Sequence, residues 1–133
     1  MSNNLIALDV GEKRIGVAVA DKGIKIAVPY DTIEVDGKEI NTIAELMVRN
    51  KTQTLIVGYP RNQQGEATRQ TEYVESFCKP LESFANIIFQ DESLTSVEAE
   101  KRLAARTKRY SKGDIDAEAA AIILQDYIEE YYG

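Results

Sequence analysis

Three carboxylates stand where acidic side chains do not ordinarily go: Asp9, Glu92 and Asp116. Asp9 follows Leu5-Ile6-Ala7-Leu8, an apolar run of the kind that forms a strand buried on both faces. Glu92 closes a similar run, Ile87-Ile88-Phe89, after Gln90 and Asp91. Ligand sites of open α/β sheets form at such strand ends. Asp116 heads a stripe at helical spacing, Ala120, Ile123, Tyr127 and Tyr131, so helical phase turns it toward the core. Each residue also has an ordinary reading. Asp9 could cap the turn at Gly11, Asp91 competes with Glu92 for the inward face, and helix-end N–H groups could satisfy Asp116. Asp114 shares its face with Glu118, Ala121, Gln125 and Glu129 and reads as the helix N-cap.

Brought to one point, the three carboxylates would repel and raise one another's pKa, and a hard divalent cation would relieve this. Oxygen-only ligation suits Mg2+ or Mn2+. Such a site can activate water and stabilise the leaving oxygen in phosphodiester cleavage. The chain has no histidine, which removes Ser-His-Asp and Cys-His catalysis and imidazole metal sites. Cys78 is the only cysteine, so neither an internal disulfide nor a thiolate zinc site can form. It falls beside Phe77 near the inner face of a helix and reads as packing.

The elements that must position these residues follow one another as β-β-β-α-β-α-β-α-α. After the first strand, Ile15–Ala20 sets large residues on one face and Gly16, Ala18 and Ala20 on the other, so another backbone can approach closely. Asp21-Lys22-Gly23 turns into a third strand, Ile24–Val28, which Pro29 marks as an edge or interrupts. A helix is predicted over Lys38–Asn50, a strand over Thr54–Val57, and a helix over Thr68–Phe84 that Pro80 kinks or shortens. Thr95-Ser96-Val97-Glu98 is a capping-box sequence opening the next helix, and a last helix spans Ile115–Tyr131. The order predicts an α/β fold with a five-stranded mixed sheet, an antiparallel meander followed by parallel crossovers, flanked by helices. Residues 1–133 read as one domain, with no repeat or low-complexity segment.

The net charge of −6 argues against indiscriminate nucleic-acid binding. Yet Lys101, Arg102, Arg106, Lys108, Arg109 and Lys112 fall in one segment without an acidic residue, a local basic footprint on an acidic body or a solvated helix end. No apolar run approaches the roughly 20 residues of a membrane span. Met1-Ser2-Asn3-Asn4 has no positive charge of a signal peptide. The expectation is a cytoplasmic protein without a membrane partner.

Four blocks resemble one family. They are Asp9-Val10-Gly11-Glu12-Lys13-Arg14-Ile15-Gly16-Val17-Ala18, Gly58-Tyr59-Pro60-Arg61-Asn62-Gln63-Gln64-Gly65, Asp91-Glu92-Ser93-Leu94-Thr95-Ser96, and Asp116 to Gln125. In this order they resemble the YqgF (RuvX) family of bacterial pre-16S ribosomal RNA nucleases, formerly described as Holliday-junction-resolvase-like, over essentially the whole chain. The resemblance implies an RNase H-like fold and metal-dependent phosphodiester hydrolysis in processing of the small-subunit ribosomal RNA precursor. It places the catalytic, metal-holding carboxylates on Asp9, Glu92 and Asp116. Arg61, Asn62 and Gly65 become substrate contacts, with Arg69 beside them. The basic segment, through Arg106, Lys108 and Arg109 and helped by Lys13 and Arg14, is the expected binding surface for structured RNA. The chain departs from the family in having Ser93 where Arg is common, and Glu66-Ala67 in place of a richer glycine run. A DNA-junction resolvase and a non-catalytic RNA-binding assembly factor are the competing functions, the protein being a monomer or weak homodimer. A sugar-kinase-like phosphotransferase would need a second such domain.

Overall fold

A computed structural model describes residues 4–21, 23–61, 64–92, 95–106 and 110–132, with backbone alone over 95–98. Its core is a five-stranded sheet in the order β3-β2-β1-β4-β5. The strands are β1 (Asn4–Val10), β2 (Arg14–Asp21), β3 (Ile26–Glu34), β4 (Thr54–Pro60) and β5 (Asn86–Glu92). β1, β2 and β3 pair antiparallel, while β4 runs parallel to both β1 and β5. This is the mixed sheet the element order predicts. Every strand that carries a candidate runs on further than its apolar run alone suggests. Asp9 is therefore inside the ladder, opposite Gly16, rather than in a turn.

β3 is an edge strand, as Pro29 requires, but it starts at Ile26 and continues past Pro29 to Glu34. The sheet accommodates the proline with a register shift opposite Val17 and Ala18. Lys25, with φ 64°, makes the turn into the strand. Lys22 of the expected hairpin turn lies outside the described residues.

Alternation along the strands divides the core in two. Ile6, Leu8, Ile15, Val17, Leu55 and Val57 face α1 (Glu39–Arg49) and α2 (Arg69–Cys78) through Ile43, Leu46, Met47 and Val74. Cys78 belongs to that layer, and burial pushes its thiol up to about 12, which keeps it protonated and inert. The helix ends at Cys78 and tightens into a 3-10 turn over Lys79–Ser83, the shortening that Pro80 imposes. Leu5, Ala7, Ala18, Ala20 and Ile56 face the other way, onto α4 (Lys112–Tyr132).

α4 departs from the sequence reading in three ways. It begins at Lys112, and its cap is Ser111: the Asp114 N–H donates to the Ser111 hydroxyl at 3.1 Å and the Ser111 N–H to the Asp114 carboxylate at 2.9 Å. Asp114 is therefore the third residue of a capping box, not the N-cap. Tyr131, expected on the core stripe, is 61% exposed near the end of the helix. And the face expected to meet solvent is covered by α3 (Thr95–Arg106), so Ala117 through Leu124 are buried without a break. A helix apolar nearly all round is one packed on two sides. The capping sequence expected at Thr95-Ser96-Val97-Glu98 concerns side chains outside the described residues.

Glu118 is the polar exception in that buried run: it is fully buried, and its two oxygens form ion pairs, 3.1 Å from Arg102 Nε and 2.9 Å from Arg106, by charge rather than by aligned hydrogen bonds. The double clamp fastens α3 to α4. Removing both arginines strands a carboxylate in the core, and the Arg102→Ala/Arg106→Ala variant is expected to lose about 3 kcal/mol in urea unfolding. Adding Glu118→Met should recover most of that loss, because an apolar side chain of similar size needs no partner. A double variant as stable as the parent would show that the clamp does not hold the helices together.

Candidate active site

Asp9, Glu92 and Asp116 line one cleft of about 260 Å³ together with Val10, Gly11, Arg14 and Gln70. Each arrives by a different route. β1 and β5 both run parallel to β4, so Asp9 and Glu92 leave the same end of the sheet with β4 between them. Gly58 of β4 opens the space across which Glu92 reaches: a Cβ there would sit 2.9 Å from Glu92 Oε2 and 2.6 Å from Ile123 Cδ1. Asp116 comes from above, in the second turn of α4. That turn rests on β2 at Gly16, where a Cβ would overlap the Asp116 carbonyl oxygen. Since Gly16 is paired with Asp9, the contact that docks the helix also sets Asp116 over Asp9.

The electrostatics follow. Burial, then the negative charges of Glu92 and Asp116, push the Asp9 carboxyl from 3.8 up to about 8. Asp116 is met by Arg14, whose Nε donates to Oδ2 at 2.6 Å, and this hydrogen bond raises the Arg14 pKa further. The donor set fits a hard cation, being all carboxylate and short of positive charge at Asp9. As placed, no three acidic or cysteine side chains among the described residues are gathered tightly enough to encircle an ion, and Asp116 spends an oxygen on Arg14.

The rivals fall elsewhere. Asp91 alternates to the opposite face, its side chain 68% exposed and 3.4 Å from Arg61. Asp114 is used in the α4 cap. Of the expected substrate contacts among the described residues, only Arg14 lines the cleft, and Lys13 is exposed on the turn before it. Arg61 lies over the Tyr59 ring, 5.0 Å from its centroid, in a separate groove with Asp91, Glu75 and Glu130. Gly65 is exposed with φ 79°, and a Cβ there would meet no atom of the described residues beyond its chain neighbours within 4 Å; Arg69 is exposed at the start of α2. Arg106 is turned onto Glu118. Asn62, Lys108 and Arg109 lie outside the described residues, as does Ser93.

Gln70 is the lining residue that the sequence does not announce. Its amide donates to the Val10 carbonyl at 3.0 Å, tying α2 to the end of β1. The signal for it is local: Thr68 and Thr71 form a reciprocal cap, and the Thr71 hydroxyl also bonds the Pro60 carbonyl at the end of β4. That cap fixes the first turn of α2 against the sheet end, which delivers Gln70 rather than Arg69 to the cleft.

A five-stranded mixed sheet of this order, with helices on both faces, is an RNase H-like fold of the RuvC type. The structure of Thermus thermophilus RuvC in complex with Holliday junction substrate superposes with a TM-score of 0.59 at 15% identity, covering 98% of this chain and 96% of that one. The profile described as "RuvX: Holliday junction resolvase" matches residues 3–130, and the chain belongs to the RuvX (YqgF) family. Among its relatives, the "Putative pre-16S rRNA nuclease" of Chloroflexus aurantiacus is 40% identical over 131 residues, covering 94% of this chain and 86% of the relative. That of a Sulfurihydrogenibium species is 36% identical over 131 residues, covering 96% and 90%. No described helix is long and apolar enough to cross a membrane.

Proposed function

We propose that the protein is a metal-dependent nuclease that cleaves phosphodiester bonds in the small-subunit ribosomal RNA precursor, working in the cytoplasm. The observation that carries this reading is the convergence of Asp9, Glu92 and Asp116 on one cleft in which Asp9 is left short of positive charge. Relatives at 36–40% identity bearing the name of pre-16S ribosomal RNA nuclease support the choice of substrate.

Asp9, Glu92 and Asp116 are the residues that would hold Mg2+ or Mn2+. When bound, such a cation supplies charge neutralisation at the scissile phosphate and a more acidic water at neutral pH. Gln70 keeps the end of β1 fixed against α2, so the Asp9 carboxylate does not drift from its neighbours. Arg14 pairs with Asp116 at the cleft wall, which supports a role for its guanidinium in meeting a phosphate oxygen.

The test is incubation of the protein with a small-subunit ribosomal RNA precursor in Mn2+ or EDTA, beside an Asp116→Asn variant. Metal-dependent cleavage that falls at least a hundredfold in the variant is the expected result, as befits loss of a group that touches the reacting centre. Cleavage that survives the substitution removes Asp116 from the site. RNA bound but never cut would favour a non-catalytic assembly factor. The resolvase description of the family favours one second reading, a DNA-junction nuclease. A four-way DNA junction in the same assay separates the two: faster cutting of the junction than of the precursor would overturn the RNA assignment.

A further inference from the structure

One groove adjoins the carboxylate cleft and another, at the β5 edge, is separate from it, and among the described residues their charges differ in sign. The groove on the β5 side holds Arg61 against Glu75, Asp91 and Glu130, and shares no residue with the cleft. The groove on the other side, about 560 Å³, runs between α3 and the first turns of α4. It shares Arg14 and Asp116 with the cleft and is lined further by Lys101, Lys112 and Tyr110, with Glu100 the one other acid among its described residues. Counted over the described residues, a polyanion meets net negative charge in the β5-edge groove and net positive charge in the other, the one that shares residues with the cleft.

We infer that the α3–α4 groove is a subsite for single-stranded nucleic acid, in which Lys101 and Lys112 take backbone phosphates and Tyr110 stacks on an unpaired base. This rests on the nuclease reading and narrows it to a substrate whose segment next to the cut is unpaired. The structure separates the basic segment into two jobs. Arg102 and Arg106 turn inward to Glu118 and hold α3 in place. Lys101, Lys112 and Tyr110, the tyrosine residue 36% exposed, line the groove. Bases within a duplex are stacked on one another and offer no open face to a tyrosine, whereas a single strand does.

The test is fluorescence anisotropy with a short single-stranded RNA and its duplex, in EDTA so that binding is read apart from cutting, over a salt series. The single strand should bind the full-length protein at least tenfold more tightly than the duplex. Lys101→Ala/Lys112→Ala should weaken binding about tenfold and make the slope of log affinity against log salt shallower by about 1.4, roughly 0.7 for each single-strand phosphate that no longer meets a lysine. Tyr110→Leu should weaken the single strand about tenfold, within the range for removal of one base stack, with no change in slope. Lys38→Ala/Lys79→Ala removes the same charge on the α1 and α2 side and should leave the slope unchanged. All of the substituted side chains are exposed, and thermal unfolding confirms that each variant is folded. A duplex bound as tightly as the single strand, or groove variants that bind as wild type does, would overturn the subsite while precursor cleavage by the wild type kept the nuclease reading intact. A wild type that neither binds nor cuts RNA would overturn that reading, and the subsite with it.

Discussion

Asp9→Asn is expected to abolish cleavage and, in the same stroke, to stabilise the metal-free fold. The Asp9 carboxyl titrates near 8 in the folded chain and at 3.8 in the unfolded reference. Between those values the folded protein holds a proton that the unfolded chain has released, so stability falls as pH rises from one to the other. An asparagine has no charge to lose and removes that slope. At about pH 7 in EDTA the variant should gain about 1–2 kcal/mol over the wild type, less than the full shift implies because neighbouring groups relax. That corresponds to roughly 3–8 °C in unfolding midpoint. Mn2+ should reverse the ranking, raising the wild-type midpoint through linkage and leaving the variant where it was. Thermal unfolding at several pH values, with and without metal, reads all of this. A variant that melts below the wild type in EDTA at every pH would mean that Asp9 is not strained by its neighbours.

The carboxylates are legible in the sequence because each breaks a local pattern that is itself easy to read. Asp9 follows the apolar run of a buried strand, Glu92 follows an apolar run, and Asp116 heads an apolar helical stripe. The run before Glu92 proves to be an edge strand, with Phe89 42% exposed and none of its residues buried, because among the described residues nothing pairs with β5 on its outer side. Asp91 and Glu92 cannot be told apart until the register of β5 is known, since one residue of slip exchanges their faces. The polar face of α4 misleads for a different reason. A single helix shows its own periodicity but not what packs on it, and Glu118 looks like any solvated glutamate until α3 brings Arg102 and Arg106 to it. The same docking splits the basic run into clamp and groove. Charge counts along a sequence are blind to that division, because residues adjacent in a helix face in different directions. Asp114 reads as the cap only while no helical residue is expected before it. Ser111 precedes it by the three positions a capping box needs.

Gly16→Ala should be among the most damaging substitutions of one small residue for another in the chain. The added Cβ would overlap the carbonyl of Asp116 and crowd the N–H of Ala117, both main-chain groups that no change of rotamer can withdraw. α4 must therefore lift from β2, and with it goes the packing of Ala120, Ile123 and Leu124 on the sheet. Overpacking of this kind costs about 1–3 kcal/mol, and a contact with backbone on both sides belongs at the upper end. The loss of activity should be larger than the loss of stability suggests. Asp116 rides on the displaced turn, and misplacement by about 1 Å lowers rates about a hundredfold. Gly113→Ala, one turn earlier in the same helix, is the control. A Cβ there meets Thr32 no closer than 3.4 Å, and alanine is the better helix former by about 1 kcal/mol. It should keep full activity and lose no stability. Urea unfolding and single-turnover cleavage of both variants decide the matter: if Gly16→Ala cuts at the wild-type rate, the close approach of α4 to β2 is not what seats Asp116 over Asp9.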